Sequence, residues 1–178
     1  MSFNIVVCGP KSVGKTTWIR RLVSGEYSRH YVPSVGYSIT TLPLHTTVGS
    51  YSINIYDVST ETFFNTVTIK ADEAIKIDAV VVMLDYSTRL SLRNWVKRIK
   101  NVPLLVVFSK YDTLTPLQKQ ELSSHTCISA RTHHQIITPL LTLIQKINTK
   151  VTEQSEVKLV EGLVIVPEVV FLSQTYTE

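Results

Sequence analysis

Apolar and polar positions switch repeatedly between two periods along the chain. Phe3 to Val7 is a short apolar run. Lys15 to Leu22 then sets Trp18, Ile19 and Leu22 at helical spacing with Arg20 and Arg21 outward, and Ser24-Gly25 is a stop signal. Past a polar segment, Glu26 to Ser34, come Tyr37 to Leu44 and the cleanly alternating Tyr51 to Tyr56. These two runs predict a hairpin around Thr47 to Ser50, the antiparallel edge of a sheet. Val58 to Ile77 is irregular with some helical potential. Ala79 to Leu84 reads as a buried central strand, Ser91 to Lys100 as a short amphipathic helix, and Pro103 to Phe108 as the next buried strand. Cys127-Ile128 predicts a short last strand, and Ile136 to Ile147 a helix whose apolar stripe closes the core. Strands alternating with helices predict an α/β fold: a mostly parallel six-stranded sheet with one antiparallel edge strand and helices on both faces.

The 178 residues suit one domain large enough to bury a core. Hydrophobic residues at 44% against 18% charged ones exclude a disordered chain. The net charge of +4 is modest, and its densest patches, Arg20-Arg21 and Arg93 to Lys100, read as solvated helix faces. Direct nucleic-acid contact is therefore not expected. Cys8 and Cys127 fall in or beside strands and are expected to be buried, reduced thiols. The longest uninterrupted apolar run, Ala79 to Leu84, is too short to span a bilayer. No signal peptide is visible and the last residues lack cysteine, so no membrane anchor is expected.

Chemistry enters with Gly9-Pro10-Lys11-Ser12-Val13-Gly14-Lys15-Thr16, a G-x-x-x-x-G-K-[ST] sequence between a strand and a helix. Consecutive backbone N–H groups in such a loop wrap phosphate oxygens, and the helix N-terminus adds its positive dipole end. Gly9 and Gly14 permit unusual backbone angles, Lys15 reaches the β- and γ-phosphates, and the Thr16 hydroxyl ligates Mg²⁺.

Ligands of doubly wound sheets sit beyond the carboxyl ends of the strands. Those ends carry the phosphate loop, then Asp57, then Ser109-Lys110-Tyr111-Asp112, then Ser129-Ala130-Arg131. Asp57 is placed to hold Mg²⁺ through a water. The Asp112 carboxylate can accept both N–H donors on the Watson–Crick edge of guanine, where adenine presents an acceptor. Wrong bases leave groups unpaired, so such a pair discriminates strongly. The Lys110 stem can cover the base, and the Ala130 N–H can meet the guanine carbonyl.

With these motifs the chain resembles the small GTPases of the Ras superfamily over nearly its whole length, and within it the Ran branch. Gly25-Glu26-Tyr27 with Tyr31 to Gly36 is similar to the Ran first switch, and Asn94-Trp95 agrees. So does Val157 to Val170, which ends Pro167-Glu168-Val169-Val170. The resemblance implies a P-loop NTPase fold with a guanine-nucleotide domain over 1–150 and a tail over 151–178. It implies GTP or GDP and Mg²⁺ as ligands, and Thr16, Ser34 and Asp57 as metal residues. It adds Pro10, Thr17, Tyr27 and Thr60 to the nucleotide contacts, beside Lys11, Ser12, Val13, Ser129 and Arg131. Lys15 and Glu61 fall on the catalytic positions. Carriers of the importin and exportin type, Ran-type regulators, a monomeric state, and a nuclear and cytoplasmic location are expected on the same ground. Without the resemblance, the tail reads as a spare edge strand or an apolar linker.

Departures from the family pattern cluster on hydrolysis. The second switch, D-x-x-G-Q in the family, reads Asp57-Val58-Ser59-Thr60-Glu61. Thr60 is stiffer than glycine, and a carboxylate at Glu61 is expected to slow hydrolysis by about a hundredfold. Lys11 and Ser12 replace small loop residues, Ser34 replaces a threonine, and Ser109 replaces the asparagine of N-K-x-D, which should loosen guanine binding. A P-loop kinase or ATPase of small-molecule metabolism would need a lid and an acceptor site, and neither is visible, which leaves two main readings. One is a Ran-like GDP/GTP switch with weak intrinsic hydrolysis. The other is a hydrolysis-defective mimic that binds carriers without cycling.

Overall fold

The computed structural model describes residues 1–30, 32–65 and 76–147, together with the backbone of 168–170. The sheet is built from β1 (Ser2–Cys8), β2 (Tyr37–Thr46), β3 (Gly49–Val58), β4 (Ala79–Leu84), β5 (Leu104–Phe108), β6 (Thr126–Cys127) and β7 (Glu168–Val170). Its order is β6-β5-β4-β1-β3-β2-β7. The six expected strands are present, and β2 alone runs against the others. One feature differs from expectation: β2 is not the bare edge, because β7 pairs antiparallel with it over Ile39, Thr40 and Thr41. The tail expected over 151–178 otherwise lies outside the described residues, as do Tyr31 of the first switch and 66–75 of the irregular segment.

The helices are α1 (Lys15–Ser24), α2 (Thr60–Asn65), α3 (Leu92–Val96), α4 (Pro116–Glu121) and α5 (Thr138–Ile147). Alternation along the central strands divides the core in two, because successive side chains point to opposite faces. Ile5, Val7, Val81 and Met83 pack with Trp18 of α1 and Leu140, Leu143 and Ile144 of α5. Val6, Cys8, Val80, Val82 and Leu84 pack on the other face with Phe63 of α2 and Trp95 of α3. All six residues of β4 are buried, as a continuous apolar run requires. The Trp18 indole N–H donates to the Ile136 carbonyl at 2.7 Å and ties α1 to the start of α5. Both cysteines are buried free thiols, and burial raises Cys8 to about 12.

The helix expected over Ser91 to Lys100 is shorter and starts elsewhere. A 3₁₀ turn, Tyr86–Ser91, precedes α3, which ends at Val96. Asp85 is the reason: its carboxylate accepts from the Thr88 N–H at 3.0 Å while the Thr88 hydroxyl accepts from the Asp85 N–H at 3.0 Å. That reciprocal cap starts the turn five residues early. Asn101, at φ 59°, then turns the chain toward β5. The unforeseen α4 is capped alike by Thr115 and Gln118 with Pro116 at its first position. No helix among the described residues is long and apolar enough to cross a membrane.

Candidate functional site

The carboxyl ends of β1, β3 and β5 open onto one cavity of about 900 Å³. Its floor is the phosphate loop. Gly9 leaves β1 at φ 146°, and a Cβ there would lie 2.0 Å from the Met83 carbonyl oxygen, so only glycine lets the loop start this close to β4. Gly14, at φ 96°, turns the loop into α1. Lys15 is buried, and its ammonium donates to the carbonyls of Gly9 at 2.9 Å and Pro10 at 3.0 Å. Burial lowers the Lys15 pKa, opposed by the charge of Asp57 and of Cys8.

Three residues from distant parts of the chain meet beside it. The Thr16 hydroxyl donates to Asp57 Oδ2 at 2.5 Å and lies 2.9 Å from the Ser34 hydroxyl. With the Thr16 proton given to Asp57, Ser34 is the donor of the second contact. Asp57 is buried at the end of β3, and its other oxygen, Oδ1, has no hydrogen-bond partner. Burial raises the Asp57 pKa, while Thr16, Lys15 and Arg20 pull it down. Two hydroxyls and an orphaned buried carboxylate oxygen are the hard oxygen donors that a magnesium ion prefers. The residues present fit the cation.

The second switch closes the cavity from the β3 side. Thr60 Oγ1 donates to the Gly9 carbonyl at 3.0 Å. Glu61 is exposed and paired with the Lys11 ammonium at 2.5 Å, and that hydrogen bond and charge lower its pKa. Ser59 starts α2, accepting at its hydroxyl from the Thr62 N–H at 3.1 Å. Its own N–H donates to the Gly36 carbonyl at 3.0 Å, so the two switch segments share a backbone hydrogen bond.

The far wall is the exit of β5. Ser109 is buried, and its hydroxyl donates to the Val13 carbonyl at 2.6 Å, with the Leu84 carbonyl at 3.0 Å. The residue expected to loosen base binding thus braces the phosphate loop against the base side. Lys110 adopts φ 59° and gives its ammonium to Asp85 Oδ2 at 2.7 Å. Asp112 Oδ1 accepts from the Ser129 hydroxyl at 2.6 Å, and Arg131 stands 3.6 Å from Oδ2. Ser129 is fully buried behind this wall and serves to aim Asp112.

Lys11, Ser12, Val13, Gly14, Lys15, Thr16 and Thr17 line the cavity, as do Tyr27, Ser34, Asp57, Thr60 and Glu61. Ser109, Lys110, Asp112, Ala130 and Arg131 line its base end. Pro10 contributes its carbonyl to Lys15 rather than a wall. Sequence reasoning missed Asp85. Burial raises its pKa, but hydrogen bonds from Lys110, Ser87 and Thr88 and the Lys110 charge prevail and hold it at about 2. Its place directly after the buried β4 run, at the same end of the sheet as the other motifs, was the available signal.

A phosphate loop, a hydroxyl–carboxylate cluster beside it and an aimed carboxylate at the base end define a small-GTPase-like nucleotide-binding domain. Residues 4–112, well over half of the chain, match the family described as Roc, the Ras of Complex domain of DAPkinase. The chain belongs to the Roc family, a GTP-binding branch of the Ras superfamily. The match reaches the superfamily expected from the motifs and goes no further toward the Ran branch. Ser129, Ala130 and Arg131 lie beyond the matched residues.

Proposed function

We propose that the chain is a guanine-nucleotide switch that alternates between GDP- and GTP-bound forms and hydrolyses GTP slowly. The observation that carries this reading is the aimed Asp112 carboxylate facing the same cavity as Lys15, Thr16 and Asp57. Lys15 and the loop N–H groups hold the phosphates. Thr16, Ser34 and Asp57 would hold Mg²⁺, which supplies positive charge to the phosphate oxygens when bound. On the family pattern, the Thr60 N–H would serve the terminal phosphate as a backbone donor. Glu61 replaces the residue that orients water in fast GTPases, and a carboxylate beside the terminal phosphate opposes the negative charge of the reaction, which supports slow turnover.

The first-switch and tail sequences support a finer reading, a Ran-type role in nuclear transport with importin- and exportin-type carriers as partners. Under it, residues 1–150 form the nucleotide domain, 151–178 form the tail, and the protein is a monomer of nucleus and cytoplasm. The Lys11–Glu61 pair also favours a second reading, a carrier-binding mimic held in one state.

The deciding experiment is the nucleotide content of the purified protein, released by denaturation, followed by single-turnover hydrolysis of loaded GTP. Recovered GDP with measurable turnover supports the cycling switch. Intact GTP supports a switch held on, and an empty protein that still captures carriers supports the mimic. Preferential recovery of ATP overturns all of these.

A further inference from the structure

The two lysines of the phosphate loop have opposite surroundings. Lys15 is buried at the floor, its ammonium on main-chain carbonyls. Lys11 stands at the rim with its side chain 63% exposed, 2.5 Å from Glu61. The same turn of α2 grips the loop a second time through Thr60 and the Gly9 carbonyl. One of these two contacts is neutral and indifferent to charge in the cavity. The other is ionic and is not.

Strand order places this pair relative to the ligand. β5, which carries the base end, and β3, which leads into α2, lie on opposite sides of β1 and its phosphate loop. A nucleotide whose base meets Asp112 therefore runs its phosphates across the loop toward α2. Lengthening it from a diphosphate to a triphosphate brings the added negative charge to the Lys11–Glu61 side. The Glu61 carboxylate repels that charge. An ammonium with three donors can serve a carboxylate and a phosphate oxygen together, or exchange one for the other.

On the guanine-nucleotide reading above, we propose that Lys11 is the specificity residue that makes this site favour the triphosphate over the diphosphate. Glu61 neutralises it when the third phosphate is absent. The third phosphate draws it away when present, while the neutral contact of Thr60 with the Gly9 carbonyl stays. Binding of the longer ligand thus loosens the ionic clip between α2 and the loop.

The test is the affinity of a non-hydrolysable GTP analogue and of GDP for the unaltered chain, Lys11→Gln and Glu61→Gln. Both side chains are exposed, so neither change opens a cavity. Lys11→Gln is expected to lower the ratio of triphosphate to diphosphate affinity by about tenfold, the scale of one partly screened charge contact. Glu61→Gln is expected to raise it. If Lys11→Gln moves both affinities by the same factor, Lys11 only braces α2 and the inference fails while the guanine reading stands. If the unaltered chain takes up neither nucleotide, both fail together.

Discussion

The Ser109 hydroxyl reaches the Val13 carbonyl at 2.6 Å and so fastens the exit of β5 to the middle of the phosphate loop. This bond ties the base end directly to the phosphate end. Ser109→Ala leaves a buried carbonyl without its donor, at a cost of about 1–3 kcal/mol. The expected outcome is a lower urea midpoint together with weaker binding of GDP. Equal GDP affinity in the two proteins would show that the brace does not reach the ligand.

Asp112→Asn replaces an acceptor with a side chain that also donates. Guanine then meets one mismatched group, whereas xanthine, with a carbonyl in place of the amino group, gains a partner. GDP affinity should fall by about a hundredfold or more and xanthosine diphosphate affinity should rise. Competition binding between the two nucleotides measures both.

The Asp85–Lys110 pair gives a pH signature. Asp85 is held at about 2, below its ordinary value near 4 in the unfolded chain. A depressed carboxylate contributes stability that is complete above the unfolded pKa and is lost as pH falls through the folded one. Asp85→Asn should therefore cost about 1 kcal/mol at pH 7, a modest figure because Lys110 is half open to water. The difference in denaturation midpoint between the two proteins should shrink as pH falls from 4 to 2. A constant difference across that window would assign the loss to the altered cap instead.

Magnesium removal separates the hydroxyl–carboxylate cluster from the rest of the cavity. Chelation should weaken GDP binding to the unaltered chain by at least about tenfold. Asp57→Ala should bind GDP weakly with and without the chelator. An undiminished chelator effect in Asp57→Ala would place the cation elsewhere.

Much of this site is legible in the sequence because it is built locally. Gly9 to Thr16 is contiguous, and the other motifs each follow an apolar run that marks a strand end. Lys11 and Glu61 are each visible as departures, but they stand 50 positions apart, and only the folded chain shows that one neutralises the other. The Asp85 cap starts a 3₁₀ turn five residues ahead of the expected helix, and its local signal, a threonine three places on, is weaker than the amphipathic stripe that follows. The partner of Glu168–Val170 was beyond reach for another reason: a short apolar strand fits many edges, and the choice of β2 depends on which edge the fold leaves open.

The hydrogen bond from the Ser59 N–H to the Gly36 carbonyl makes the two switch segments share a fate. Val32 and Val35, at 70% and 90% exposure, lie in the loop that ends at Gly36. Coupling free energy has no direction: whatever factor a nucleotide adds to the grip of a protein seated on those valines, that protein adds to the grip on the nucleotide. Whatever favours one arrangement of the first segment is thereby felt by the second, as a change in affinity of equal size at both.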